Sequence, residues 1–344
     1  MSVATCLRSS GALRTLVVTG VNTLFRTPKP KNQSSFQRPL ICTGVCRFYS
    51  KMASYAIEEK GPQNSMDYRV FFKNASSGNY ISPFHDIPLT PPGSSDPAVF
   101  NMVVEVPRWS NAKMEIKTTE KMNPIKQDVK KEKLRFVKNC FPHHGYIWNY
   151  GAFPQTWEDP NHRDEHTECN GDNDPLDVCE IGSRVAKQGE VIQVKVLGVL
   201  AMIDEGETDW KILTIDVRDK LAKVLNDVED IREHMPGFLE ATFEWFKIYK
   251  VPDGKPFNSF AFNAEPKNKD FALDIIKKTH GQWQQLMHNK TDPAGIACEN
   301  VTVAGSAHMV SIEKAKEIVA AAPATGKVEP IDPEIDAWHY VSQQ

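Results

Sequence analysis

Two stretches near the middle of the chain carry the clearest strand pattern. Residues 191–203 read Val-Ile-Gln-Val-Lys-Val-Leu-Gly-Val-Leu-Ala-Met-Ile, and residues 210–217 read Trp-Lys-Ile-Leu-Thr-Ile-Asp-Val. Both are rich in β-branched residues with partial alternation of apolar and polar positions, which predicts strands. Residues 102–109 and 133–137 repeat the pattern over shorter lengths, and strand-like segments broken by Pro and Gly dominate residues 66–217. The period then changes. Residues 236–247 set Leu239, Phe243 and Phe246 on one helical face, and residues 268–288 align Ala272, Ile275, Ile276, Thr279 and Trp283. Such stripes predict two helices that pack on a core. Strands followed by helices indicate an α+β fold, a small barrel with two main helices against it. Residues 323–344 predict an irregular tail over the surface.

The connections hold the candidate chemistry. Residues 171–178 read Gly-Asp-Asn-Asp-Pro-Leu-Asp-Val, which crowds Asp172, Asp174 and Asp177 between two chain breakers. Neighbouring carboxylates repel unless protons, water or cations relieve them. A solvated acidic turn and a loop that ligates a hard divalent cation both fit these residue types. A second cluster, Asp204, Glu207 and Asp209, falls between the two long strands, with Lys211 two positions on. Alternation puts Asp209 and Lys211 on one face of the second strand. Carboxylate clusters at strand ends suit a site with several metal ions, in which two ions activate water and clamp a phosphoryl group. An EF-hand is excluded, because counting from Asp172 its glycine position holds Asp177 and its final glutamate position holds Ser183. There is no Gly-x-x-x-x-Gly-Lys-Ser/Thr and no Gly-x-Gly-x-x-Gly, so side chains and metals would bind phosphate rather than a glycine loop.

Phosphate chemistry also needs positive charge and phenols. Lys113 and Glu115 follow the strand at 102–109, Arg135 lies in the strand-like stretch 133–137, Tyr146 and Tyr150 flank a glycine-bounded turn, and Tyr249-Lys250 ends the first helix. Each of these alone is an ordinary surface or packing residue. His143-His144 has no Cys or His at a ligand spacing nearby, which argues against zinc.

Together these segments resemble soluble inorganic pyrophosphatases of family I in their eukaryotic form. The likeness runs through residues 108–115, 141–160, 172–178, 204–211 and 248–250, and covers roughly residues 65–343. The resemblance implies a distorted five-stranded, OB-like β-barrel with a polar cavity at one end. It implies magnesium-dependent hydrolysis of inorganic pyrophosphate to two phosphates by a metal-bridged water, with three to four Mg2+ ions. Asp172, Asp177 and Asp209 would hold the first ion and Asp177 would be shared with the second. Asp204 would join Asp209 on a third, and Glu115 would help with a fourth. Asp174 would take the proton of the attacking water, Tyr146 would act as a proton donor, and Lys113, Arg135, Tyr150, Lys211, Tyr249 and Lys250 would contact the phosphates. Glu105 and Glu207 match acidic positions with less direct roles. A homodimer is implied, with Arg108, Trp109 and His144 in its contact. The alternative of another class is a non-catalytic subunit of a larger, chromatin-associated assembly. Completeness of the metal and proton-accepting residues discriminates against it.

Composition adds a compartment. Eight of the 41 Lys and Arg precede the first acidic residue, Glu58, which leaves 33 against 44 Asp and Glu, a net of −11 in the body. An acidic body argues against direct nucleic-acid binding. The leader, residues 1–51, is rich in Arg, Ser and Thr without acid, the composition of a mitochondrial transit peptide for the matrix. Arg47-Phe48-Tyr49-Ser50 resembles a processing site, and the apolar stretch at Leu16-Val17-Val18 is too short to span a bilayer. Translation from Met52 would instead give a cytoplasmic or nuclear product. Residues 52–344 read as one domain. The seven cysteines contain no Cys-x-x-Cys, as expected of free thiols in a reducing compartment.

Overall fold

The computed structural model describes residues 55–342. The expected leader, residues 1–51, lies outside them.

Five strands close on themselves. They are β1 (Val99–Val106), β2 (Asn149–Ala152), β3 (Asp177–Glu180), β4 (Val191–Asp204) and β5 (Glu207–Asp216). β1 pairs with β2, β2 with β3, and β4 with both β5 and β1, all antiparallel, while β3 runs parallel to β5. The ring β1-β2-β3-β5-β4 is therefore complete, in line with the expected barrel, although it is not a clean one. Register slips at Tyr150/Gly151 and between Val196 and Gly198, and short strands at Ser259–Phe260 and Lys267–Asn268 add to the outer side of β4.

Alternation was only partial because both faces of these strands are covered. Val103, Val106, Leu200, Met202 and Leu213 enter one apolar cluster, whereas Met102, Val104, Val199, Ala201 and Ile212 enter a second. A strand buried on both faces loses its polar positions. β1 starts at Val99 rather than 102 and stops at Val106, before Pro107, which has no amide hydrogen for the ladder.

Gly151 shows how closely the ring is drawn. A Cβ there would run into the carbonyl oxygen of Val103 on β1. Gly151→Ala is expected to destabilise the protein by about 1–3 kcal/mol or more, because backbone rather than a side-chain tip must give way. Thermal denaturation checks this.

The helices follow the apolar stripes. α1 (Val228–His234) and α2 (Phe238–Ile248) precede α3 (Lys269–Met287) and α4 (Ile312–Ala320). α2 and α3 are the two expected helices. Asn268 caps α3 by accepting from the Phe271 amide at 3.1 Å, and all five expected stripe residues of α3 are buried. α1 and α4 were not expected. α1 buries only Val228 and Ile231 and α4 only Ala315 and Val319, too few apolar positions to register as a period. The stretch 133–137 is strand only at Lys133–Leu134, in a small hairpin with Val129–Lys130. The tail is irregular but tethered, since Trp338–His339 pairs parallel with Asn139–Cys140. A sheet of residues 55–60, 69–74, 125–127 and 114–116 flanks the ring and carries Glu115 between buried Met114 and Ile116.

Candidate active site

The acidic loop is fixed by its non-acidic residues. Asn173 has φ 71°, a left-handed conformation that Asn tolerates better than most residues. Its side chain accepts from Trp157 Nε1 at 3.0 Å and donates to the Ala294 carbonyl at 3.0 Å. The loop backbone is tied to Glu158 on both sides, by Asn173 N to Glu158 O at 3.0 Å and by Glu158 N to Asp174 O at 2.9 Å. These bonds turn the Asp172 and Asp174 side chains into a cleft of about 180 Å³, where the loop feeds β3 and Asp177. The β3–β5 register places Asp177 beside Lys211, and Asp209 shares the face of Lys211 two positions earlier. Asp204 and Glu207 close the β4–β5 hairpin over the same cleft.

Eight carboxylates line the cleft: Glu105, Glu115, Asp172, Asp174, Asp177, Asp204, Glu207 and Asp209. Only Lys113, Arg135 and Lys211 oppose them there, joined by the phenols Tyr146, Tyr150 and Tyr249. Lys250 stands behind the wall, paired to both oxygens of Asp204. So every residue expected in the site lies at one cavity or directly against it. A surplus of five carboxylates over basic side chains in so small a space calls for further cations or for protons.

The lysines already sit where positive charge is needed. Lys211 Nζ donates to Asp177 and Asp209 and, at 3.0 Å, to the Tyr150 hydroxyl. Lys113 meets Glu115 at 2.6 Å and Asp128 at 3.8 Å, and Arg135 meets Asp128 at 3.0 Å. Burial alone would lower the Lys211 amine, but Asp177 and Asp209 outweigh it and hold it well above its ordinary value. Burial raises the carboxyls. Asp172 goes well up, with Asp209 adding to the effect, and Glu105 does so with help from Asp177. Asp174 is pushed up to about 7, first by burial and then by the charge of Glu115. Asp174 is open to water in the cleft, yet the surrounding protein still weakens its solvation. Burial likewise holds the three phenols above their ordinary value, so all three remain donors at neutral pH.

Two site residues escaped the sequence reading. Asp128 is the shared partner of Lys113 and Arg135. Glu158 is 3% exposed, and its Oε1 accepts from the Trp210 amide at 3.2 Å while its Oε2 has no partner. Carboxylate oxygens of Glu158, Asp172 and Asp209 lie within 4.8 Å of one another. An orphaned, buried carboxylate oxygen beside two more carboxylates is the chemistry of a hard-cation site. The burial of its charge raises Glu158 well above its ordinary value, with Asp172 adding to it.

Carboxylates for metals, with lysine, arginine and phenol donors for an anion, define a metal-dependent enzyme acting on phosphate. The comparisons with known proteins name the class more closely. Residues 102–284 match the family model described as inorganic pyrophosphatase. The chain is 57% identical over 291 residues to the inorganic pyrophosphatase of Drosophila melanogaster, covering 85% of each chain. It is 58% identical over 290 residues to that of Homo sapiens, covering 84% of this chain and 99% of the relative. It is 51% identical over 303 residues to the mitochondrial inorganic pyrophosphatase 2 of Mus musculus, covering 84% and 92%. The solved structure of inorganic pyrophosphatase from Schistosoma japonicum superposes with a TM-score of 0.79 at 50% identity, covering 83% of this chain and all of that one. The chain belongs to the inorganic pyrophosphatase family.

Proposed function

We propose that this chain hydrolyses inorganic pyrophosphate to two phosphates with magnesium held by the cleft carboxylates. The observation that carries this reading is the charge imbalance, eight carboxylates against three basic side chains, around donors suited to phosphate oxygens. Asp172, Asp177 and Asp209, with Asp204 and Glu115 further along the cleft, are the ligands we assign, and three to four ions fit that set. Bound magnesium would neutralise substrate charge and lower the pKa of water towards neutrality.

The protein's own groups do the rest. Asp174 accepts the proton that the attacking water loses as its oxygen bonds to phosphorus. The bridging P–O bond breaks, and the leaving phosphate is stabilised by donors, among which Lys113, Arg135, Tyr150, Lys211, Tyr249 and Lys250 are assigned to phosphate oxygens. Tyr146, 2% exposed and held protonated, is assigned as the donor to the departing group. Lys211, paired with Asp177 and Asp209, and Lys250, paired with Asp204, would turn to phosphate oxygens where those carboxylates held a metal ion instead.

The test is phosphate release from pyrophosphate with magnesium, using the wild type and Asp174→Asn. The wild type is expected to turn over and the variant to be slowed by about 10²–10⁴-fold, as for loss of a general base. A well-folded wild type that releases no phosphate at any magnesium concentration would sink the reading. A non-catalytic scaffold is not favoured, because such a role gives no reason for Asp174 to stand beside every metal ligand.

An exposed aromatic patch supports a homodimer. Trp109, Phe141, Trp338 and Tyr340 are 57%, 56%, 42% and 79% exposed, and Trp338 packs edge-on to Phe141 and His144. Such a patch on the surface suits a second copy of the chain. Residues 52–344 are proposed as one catalytic domain. The leader composition and the mitochondrial relative support a matrix address, and a product begun at Met52 would be cytoplasmic. Among the described residues no helix is long and apolar enough to cross a membrane.

A further inference from the structure

A cleft with surplus carboxylates repels the multiply charged anion it is meant to admit. Beside its opening stands a hairpin of the reverse composition. Residues 129–138 read Val-Lys-Lys-Glu-Lys-Leu-Arg-Phe-Val-Lys. Val129–Lys130 pairs antiparallel with Lys133–Leu134, in a register that sets Lys130 directly opposite Lys133. Like charges opposed across a ladder disfavour pairing. Lys131 and Glu132 form the turn at φ 51° and 59°, left-handed conformations that such residues adopt at a cost. Lys130, Lys131 and Lys133 are exposed, and among the described residues none makes a side-chain hydrogen bond or ion pair. Both costs are therefore borne without a visible return to the fold.

The hairpin is continuous with the catalytic cleft. Arg135 lines that cleft and also an outer groove of about 670 Å³, whose other basic residues are Lys130, Lys131, Lys133 and Lys138. Glu132, Asp253 and Asp332 are the acids of that groove, so it carries a surplus of positive charge where the cleft carries negative. Through Arg135 the groove thus adjoins the cleft that Asp204 and Glu207 line.

We propose that the hairpin is an outer binding site for inorganic phosphate anions, where Lys130, Lys131 and Lys133 collect pyrophosphate and pass it to Arg135. The proposal rests on the assignment of the cleft to pyrophosphate. Its physics is electrostatic steering, which raises encounter rates by about 10–10³-fold and fades with ionic strength. It acts on capture and leaves the chemical step alone.

The test is a full-length variant carrying Lys130→Gln, Lys131→Gln and Lys133→Gln, with Arg135 intact. At low ionic strength kcat/KM is expected to fall by roughly tenfold with kcat unchanged. The gap should close towards 1 M salt, where the screening length is about 3 Å. A variant with the wild-type kcat/KM and salt dependence overturns the proposal. So does one whose kcat falls while its salt dependence stays that of the wild type, because the lysines would then be serving the structure of the site. Inorganic phosphate titrated into the metal-free protein, followed by lysine side-chain NMR, separates this from the fate of the cleft reading. Shifts of Lys130, Lys131 and Lys133 are expected even if the wild type hydrolyses nothing, and their absence overturns the outer site.

Discussion

Replacing Asp177 with Asn is expected to leave a folded protein that hydrolyses pyrophosphate about a hundred- to a thousandfold more slowly. Asp177 opens β3, where parallel pairing with β5 sets it beside Lys211, and its carboxylate accepts from that amine. It also lines the cleft with Asp174 of the acidic loop and Asp209 of β5, and is the carboxylate proposed above to serve two cations. Asn keeps the volume and one oxygen but loses the charge. Lys211 keeps Asp209, so its buried ammonium is not stranded and the fold should hold. What would be lost is the proposed shared ligand, and removing a preorganised group of this kind costs about 3–4 kcal/mol of barrier, which is two to three decades in rate. The checks are steady-state phosphate release, magnesium titration calorimetry and a melting curve. Activity within tenfold of wild type, with unchanged magnesium affinity, would remove Asp177 from the metal centre.

The parts legible in the sequence were those written in local spacing. The stripe of α3 follows from a period of 3.6, and the shared face of Asp209 and Lys211 from a period of two. The crowding of Asp172, Asp174 and Asp177 was a local electrostatic cost that had to be relieved somehow. Glu158 shows the opposite case. It lies 14 positions before Asp172 and 51 before Asp209, and only closure of the ring brings the three within 4.8 Å. No period or spacing around Glu158 announces a ligand, and its neighbours Asp159 and Pro160 read as a turn. Asp128 was hidden for the same reason, because its partners Lys113 and Arg135 arrive from either side of it in the chain. The structure sets Lys211 in the cleft wall and Lys250 against Asp204, and these partners were not legible in the sequence. The family resemblance implied phosphate contacts, whereas Lys211 is clasped by Asp177 and Asp209 and Lys250 by Asp204. α1 and α4 remained invisible because two buried residues per helix make no pattern.

The metal-free protein is expected to lose stability as pH rises from about 5 to about 8, and magnesium to restore it. Asp174 titrates near 7 in the fold against about 4 in an unfolded chain. Between those values the folded state keeps a proton that the unfolded state has released, so each step up in pH favours unfolding. Asp172, Asp209, Glu105 and Glu158 act in the same sense, burial being the largest cause for each. The carboxyls held low by their partners, such as Asp128 and Glu120, lose their stabilising contribution below pH 4 and do not enter this window. Magnesium reverses the trend, since a cation that binds only the folded state adds about 2.7 kcal/mol at a hundred times its dissociation constant. Its ligands must be deprotonated, so its stabilisation should grow as pH rises and protons should be released on binding. Scanning calorimetry with and without magnesium is expected to show a melting-temperature gain of about 5–10 °C near pH 8 and little near pH 5. Equal gains at both pH values would mean that the ion binds somewhere other than these carboxylates.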